Sequence, residues 1–108
     1  DRRRRLRCTT IARLRLEPAA RRVWKDEREV ELTPIEYDLL YTLARHAGRV
    51  LSREQLIEHV WGYDYYGDDR IIDTHIRRLR RKIEDDSAAP AFVVTVRGAG
   101  YRFDPRAE

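Results

Sequence analysis

Arginines and other hydrogen-bonding side chains recur along residues 69–84, DRIIDTHIRRLRRKIE. When this segment is turned by about 100° per residue, as in an α-helix, its aliphatic residues share one narrow stripe: Ile72, Ile76, Leu79 and Ile83. The opposite face, flanked by Asp73 and Arg80, carries the remaining polar set: Arg70, Thr74, Arg77, Arg78 and Arg81. The spacing therefore predicts a helix with an apolar stripe for the core and a basic face for a partner.

The side chains of that basic face are of the kinds that read DNA. Arginine presents a planar fork of donors that fits a phosphate group or the paired acceptors of guanine. Threonine adds a methyl contact and aspartate an acceptor, and an α-helix fits the major groove of duplex DNA. The alternative is a solvated amphipathic helix whose arginines only keep the protein in solution, because basic faces are common on surface helices.

The composition bounds the class of protein. A chain of 108 residues fits one domain. It is 42% hydrophobic, enough for a small core, and 39% charged, above the usual quarter for a globular domain. The net charge of +4 comes from 23 basic and 19 acidic residues, and the arginines cluster at the N-terminus and within residues 77–82. Because the basic residues are clustered, the composition fits a polyanionic partner.

The chain carries few signals of cellular location. Cys8 is the single cysteine, so no internal disulfide can form, and we expect a reducing, cytoplasmic compartment. No apolar run approaches membrane-spanning length, so we expect no contact with a membrane. Residues 1–8 begin DRRRRLR with no apolar stretch behind them, so we expect a linker remnant rather than a signal peptide, as in a fragment of a longer chain.

Local patterns predict the other elements before the basic helix. Residues 9–32 alternate between apolar and charged side chains, which predicts three or four short antiparallel strands joined by tight turns. Two capping boxes then predict helix starts, because Thr33 is followed by Glu36 and Ser52 by Gln55 at the required spacing. The pair Val50-Leu51 between these two helices is long enough for one bridging strand.

A hairpin is predicted after the basic helix. Residues 92–103, FVVTVRGAGYRF, alternate like a strand, and two glycines allow a tight reversal that leaves Arg97 near the tip. On the first strand we expect one shared face for Phe92, Val94 and Val96. The whole pattern predicts an α+β fold, a winged helix-turn-helix domain over 9–104, with an N-terminal antiparallel sheet over 9–32, a three-helix core over 33–84 and a C-terminal β-hairpin wing over 92–103.

The segment before the basic helix, GYDYYGDD at residues 62–69, is acidic and aromatic. Asp68 or Asp69 is expected to cap the third helix. Tyrosines are frequent anchors of protein interfaces and phosphate repels a negative loop, so we expect a protein partner for this set: Tyr63, Asp64, Tyr65, Tyr66 and Asp68. The alternative is that Tyr63 and Tyr65 fold back onto the helices and leave only Asp64 and Tyr66 free.

Four segments in order carry a family resemblance: LTPIEYDLL, SREQLIEHVWG, DDRIIDTHIRRLRRKIE and TVRGAGYRF. From about Leu14 to Phe103 the chain resembles the DNA-binding effector domain of OmpR/PhoB-type response regulators. The resemblance implies sequence-specific binding of double-stranded DNA and regulation of transcription in a two-component phosphorelay, with the third helix in the major groove and the wing in the minor groove. It further implies a receiver domain before the linker, and a domain that is monomeric alone but dimerises on tandem direct repeats.

The resemblance also implies roles for single residues. Arg78 and the pair Asp73–Thr74 align with positions that meet base edges, and His75 lies close to them. Positions near phosphate align with Trp61, Arg70, Arg77, Arg80 and Thr95. The resemblance makes Arg97 the wing arginine, suited to a narrow minor groove.

Two features qualify this family pattern. The loop at residues 62–69 aligns with a segment that touches RNA polymerase in some members. At position 74 relatives often carry valine, and several carry a smaller β-branched residue in place of Ile71 or Ile72, so the resemblance leaves base preference at Thr74 open.

Three other classes of function compete with DNA reading. An enzyme is disfavoured because the three histidines, His46, His59 and His75, are scattered and none pairs with Cys8 or an acidic cluster at ligand spacing, so we expect no catalytic, cofactor or metal residues. A winged-helix module that only contacts proteins, without specific DNA binding, is expected to lack an arginine-rich face, whereas this chain has one. RNA binding is disfavoured because the sequence has no aromatic pair on a predicted strand, which a base-stacking platform requires.

Overall fold

The computed structural model describes residues 9–106, so the linker expected over residues 1–8 lies outside the described part. Four strands come first and form one antiparallel sheet in chain order: β1 Thr9–Ile11, β2 Leu14–Glu17, β3 Arg22–Lys25 and β4 Arg28–Val30. The alternation of the sequence sets its faces, because Leu14, Leu16 and Val23 are buried while Arg15 and Arg22 are exposed. Of the three or four strands predicted, four are present.

Three helices follow the sheet: α1 Pro34–Arg45, α2 Arg53–Val60 and α3 Ile71–Ile83. Both predicted capping boxes form, since Thr33 and Glu36 exchange side-chain-to-backbone hydrogen bonds at the start of α1, and Ser52 and Gln55 do the same at α2. No helix within residues 9–106 is long and apolar enough to cross a membrane, and no three His, Cys, Asp or Glu side chains in that range form a metal-binding group.

The start of α3 differs from the prediction that Asp68 or Asp69 would cap it. The N-cap residue is Arg70, and its side chain makes no capping hydrogen bond. Asp68 instead accepts the backbone N–H of Arg70 through Oδ1 at 2.9 Å, which closes a turn just before the helix. Arg70 already has helical φ and ψ angles, and the carbonyls of Asp68 and Asp69 accept the N–H groups of Ile71 and Ile72 at 3.3 and 3.2 Å. A tight turn therefore leads into the helix, and the N-cap position falls on Arg70 rather than on an aspartate.

The core lies between the helices and the two sheets. The predicted stripe of α3 is confirmed, because all four aliphatic side chains are 0% exposed and join one cluster with Leu39, Leu40 and Leu43 of α1. Burial of each such side chain contributes roughly 1.5–3 kcal/mol, which fixes how α3 is rotated about its axis. Glu36 of α1 is also buried, and it accepts Lys82 Nζ of α3 at 2.5 Å.

A second sheet is formed by β5 Val50–Leu51, β6 Val93–Val96 and β7 Gly100–Phe103, all antiparallel, with β7 in the middle. The bridging strand and the hairpin are therefore confirmed. The strand β6 begins one residue later than predicted, and Phe92 does not share the half-exposed face of Val94. The Phe92 N–H is held by the Glu84 carboxylate, and its ring is buried 6.3 Å from that of Phe103.

Candidate nucleic-acid interface

The exposed side of α3 carries the basic residues that its periodicity predicted. We call this set the basic face: Arg70, Thr74, Arg77, Arg78 and Arg81, all of which are exposed. Within residues 9–106, Arg77, Arg78 and Arg81 form no intramolecular ion pair. Their guanidinium donors are therefore available to an external acceptor, while the buried side of the same helix keeps them pointed outward.

Arg70 is held at the beginning of the basic face by the loop that precedes it. Its Nε lies 3.1 Å from Asp68 Oδ2, and both side chains are largely exposed. The Arg70 backbone N–H and then the Arg70 charge hold the pKa of Asp68 below its ordinary value, so this carboxylate stays ionised. Exposed ion pairs of this kind are weak, and a phosphate group can compete for the guanidinium.

Trp61, at the C-terminus of α2, forms an aromatic group beside the basic face. Its ring lies 5.7 Å from the His75 ring and 5.7 Å from the Tyr65 ring. The Nδ1 atom of His75 is buried and has no hydrogen-bond partner in the part of the chain that the structure describes. Burial, followed by the nearby charge of Arg78, lowers the pKa of His75. The histidine is therefore neutral at pH 7 and packs against the indole as an uncharged ring.

Asp73 has partners within the protein on two sides. It forms a two-pronged ion pair with Arg53 of α2, with Arg53 Nε 3.0 Å from Oδ1 and Nη2 2.8 Å from Oδ2. It also accepts the hydroxyl of Tyr101 from β7. Burial and this hydrogen bond raise the pKa of Tyr101 to about 12, so the phenol remains a donor. The base contact expected of Asp73 stays a prediction.

Arg80 and Thr95, both expected near phosphate, are bonded to each other. Arg80 donates from Nη2 to Thr95 Oγ1 at 2.7 Å, and from Nε and Nη2 to the Val93 carbonyl at 3.0 and 2.9 Å. The guanidinium also lies 5.4 Å from the centre of the Tyr101 ring. Burial lowers the pKa of Arg80. This arginine links α3 to the hairpin, and its contact with phosphate stays a prediction.

The tip of the hairpin presents Arg97, as predicted. The turn is closed by the Ala99 N–H, which donates to the Val96 carbonyl at 2.9 Å, and Gly98 adopts a φ of +77° that favours glycine. Arg97 is exposed and forms no ion pair within residues 9–106. It is therefore a free cation at the end of a narrow two-stranded projection.

The tyrosines of the loop between α2 and α3 were expected either to be exposed or to fold back onto the helices, and the structure shows both arrangements. Tyr63 is 83% exposed and Tyr66 is 92% exposed, whereas Tyr65 folds back and donates its hydroxyl to the Asp68 carbonyl at 3.2 Å. The alternative that Tyr63 also folds back is therefore wrong, whereas Tyr65, which was expected in the partner set, packs beside Trp61. With exposed Asp64 beside them, the two tyrosines form an acidic, aromatic surface.

Sequence reasoning missed three residues that organise this region. Arg53 and Tyr101 hold Asp73, and Glu84 accepts the backbone N–H groups of Ala91, Phe92 and Val93 at 2.7–3.1 Å. Glu84 is only 8% exposed, so its carboxylate orders the chain that enters β6. No spacing rule identifies these residues, although a glutamate directly after a helix and before an apolar strand is a weak signal of such a cap.

Three helices with a basic third helix, flanked by a three-stranded sheet that ends in a hairpin, define a winged helix-turn-helix domain. The family model described as "Transcriptional regulatory protein, C terminal" matches residues 26–103. The chain therefore belongs to this family, that of the DNA-binding domains of OmpR/PhoB-type response regulators, as its motifs indicated.

Solved structures agree with this assignment. The DNA-binding domain of RstA from Klebsiella pneumoniae, solved in complex with the RstA box, is 35% identical, with a TM-score of 0.83 over 92% of this chain and 98% of that one. The DNA-binding domain of CpxR from E. coli is 38% identical, with a TM-score of 0.80 over 94% and 99% of the two chains. The response regulator DrrB of Thermotoga maritima, an OmpR/PhoB homolog, is 32% identical with a TM-score of 0.82, and the match covers 90% of this chain but 44% of DrrB.

Proposed function

We propose that this domain binds specific sequences of double-stranded DNA and regulates transcription as the effector part of a two-component response regulator, with α3 in the major groove and the wing in the minor groove. The observation that carries the proposal is the basic face, where three arginines that form no ion pair with the described residues 9–106 project from a helix whose other side is buried. An α-helix fits the major groove, and arginine forks match guanine and phosphate.

The free groups of the interface suit distinct tasks. Arg78, exposed near the middle of α3, and Thr74, exposed in its first turn, are proposed to meet base edges, with the neutral ring of His75 beside them. Arg70, Arg77 and the indole N–H of Trp61 are proposed to anchor phosphates, because such donors fix register on the duplex without reading sequence. Arg97 at the hairpin tip suits a narrow minor groove, where the negative potential is strongest.

The arrangement on DNA is proposed to be two domains on tandem direct repeats. Among residues 9–106 the exposed large apolar side chains are Val50, Tyr63 and Tyr66, too few for a stable interface between free copies, so the domain alone should be a monomer. Selection of bound sequences from a random duplex library should return two half-sites in the same orientation, about 10–10.5 base pairs apart. Enrichment of no motif, or of inverted half-sites, would contradict the proposal.

The 62–69 loop is proposed to bind a protein of the transcription machinery, with RNA polymerase as the named partner. Its exposed groups, Tyr63, Asp64 and Tyr66, combine negative charge with aromatic area, which suits a basic protein surface and is repelled by phosphate. We further propose a receiver domain on the N-terminal side of this chain and action in the cytoplasm. The chain spans less than half of DrrB, which is compatible with a larger protein.

Replacing both Asp64 and Tyr66 by alanine should reduce transcription while leaving DNA binding nearly unchanged. DNA affinity should stay within about threefold, since less than 1 kcal/mol is at stake for groups outside the groove. Transcription from a bound promoter, measured in vitro with purified polymerase, should fall much further. A matched control is Tyr65→Ala, which removes the ring that packs on Trp61 and should affect DNA binding. Equal losses of binding and transcription in the double variant would make the loop structural.

A further inference from the structure

We infer that α3 positions the wing through a polar clamp, so that the major-groove and minor-groove contacts are made at one fixed spacing. The inference deepens the proposed function and rests on it. We define the wing clamp as three α3-side residues and their hairpin partners: Asp73 with Tyr101, Arg80 with Val93 and Thr95, and Glu84 with the N–H groups of residues 91–93.

The three clamp positions follow one line along the helix. Asp73 and Arg80 are seven residues apart and Glu84 follows four residues later, which corresponds to about 10 Å and 6 Å along the helix axis. At about 100° per residue, these spacings bring the three side chains to within roughly 40° of one another around the axis. The clamp therefore runs beside the buried stripe, nearly the full length of α3, and limits tilting of the hairpin along it.

The clamp ends just before the tip of the wing. Thr95 and Tyr101 face each other across the hairpin, and both are bonded to α3, one through Arg80 and the other through Asp73. The next pair, Val96 with Gly100, leads directly into the turn. Arg97 is thus two residues beyond the last held pair, a reach of about 7 Å in an extended chain. A short arm of this kind gives the guanidinium little freedom relative to the basic face.

Every bond of the clamp has one charged partner, and such bonds are shorter and stronger than neutral ones. Tyr101 is 7% exposed and Glu84 is 8% exposed, so water competes poorly for them. The Asp73 carboxylate is further held by the two-pronged contact with Arg53 at the start of α2, which prevents it from turning away. The clamp therefore joins α2, α3 and the wing into one rigid reading unit.

This arrangement assigns new tasks to residues that the family resemblance places at DNA. Asp73, Arg80 and Thr95 act as positioning residues for Arg97. Arg80 donates to Thr95 and to the Val93 carbonyl, and Asp73 accepts the Tyr101 hydroxyl. Replacing a residue that positions the wing should change the preference for the sequence that flanks the half-site in the minor groove. Replacing a residue that only binds phosphate should lower the affinity for every sequence alike and reduce the salt dependence of binding.

A double-mutant cycle between Tyr101→Phe and Arg97→Ala tests the clamp. Affinity would be measured for two duplexes that share the half-site but carry A·T or G·C pairs where the wing lies. The wild-type domain should prefer the A·T flank, and Arg97→Ala should abolish that preference. Tyr101→Phe, which keeps the ring and removes only the hydroxyl, should reduce the flank preference at least threefold and leave base preferences inside the half-site unchanged. In the Arg97→Ala background, Tyr101→Phe should cause no further change in the flank preference.

A second variant covers the arginine of the clamp. Arg80→Lys keeps the positive charge but loses the fork that holds Val93 and Thr95, so it should also reduce the flank preference while the salt slope stays unchanged. If both variants kept the wild-type flank preference, or if Tyr101→Phe had the same effect with and without Arg97, the clamp alone would be overturned. If Arg97→Ala itself left the flank preference intact, the minor-groove role of the wing would fail, and the clamp inference with it.

Discussion

Replacement of Arg78 by alanine is expected to lower affinity for the selected sequence by about 5- to 150-fold, corresponding to about 1–3 kcal/mol, and to relax preference at one base position. The physical reason is that Arg78 is exposed near the middle of α3 and forms no intramolecular ion pair within residues 9–106, so its fork of donors is free for a base edge. Titration of the variant against duplexes substituted at each position measures both effects.

The matched control is Arg70→Ala at the start of the same helix. Arg70 is also exposed, but Asp68 holds it outside the body of the helix, where a phosphate is the expected partner. Its loss should weaken all sequences alike and reduce the slope of log affinity against log salt concentration by nearly one. If both variants lost affinity with no change in base preference, the division of roles would be wrong. A wild-type affinity that did not depend on salt would contradict groove binding altogether.

Much of the fold could be predicted because its signals are local. The Thr33–Glu36 capping box uses residues three positions apart, and hydrogen bonds over that distance are readable in a sequence. The α3 stripe is equally readable, because a helix of fixed pitch turns periodic aliphatic residues into one buried line. The same periodicity predicted the exposed arginines of the basic face, and the glycine-rich turn predicted the position of Arg97 at the hairpin tip.

The partners of the interface residues could not be predicted in this way. Asp73 is bonded to residues 20 and 28 positions away in the chain, Arg53 and Tyr101, and these pairings exist only after the helices and the hairpin have packed. The sequence therefore identified Asp73 and Arg80 as polar groups near the basic face but not what they hold. The prediction for the start of α3 was wrong for a related reason, since either aspartate has the right side chain for a cap, but the pattern does not show the tight turn that places Arg70 at the N-cap.

Gly100 is the position where a single methyl group should damage the domain most. It begins β7 with a φ of +143°, a conformation that residues with a side chain rarely adopt. A Cβ atom built there would lie 2.0 Å from the Leu51 carbonyl oxygen and 2.9 Å from Ser52 Cα. These atoms belong to the strand β5 and to the N-cap of α2, and both are backbone atoms, so no side-chain rotation can relieve the overlap.

Gly100→Ala is therefore expected to reduce the free energy of unfolding by about 3–5 kcal/mol, because β5 and β7 must separate or the start of α2 must move. For a domain of this size the Tm, measured by thermal unfolding, should fall by roughly 15 °C or more. The matched control is Gly98→Ala in the same turn, where the φ of +77° is also positive but no atom lies within 4 Å of the added methyl group. That variant should lose only about 1 kcal/mol, the cost of a left-handed residue with a side chain. Equal losses in the two variants would show that backbone conformation, and not the contact with Leu51, decides the effect at Gly100.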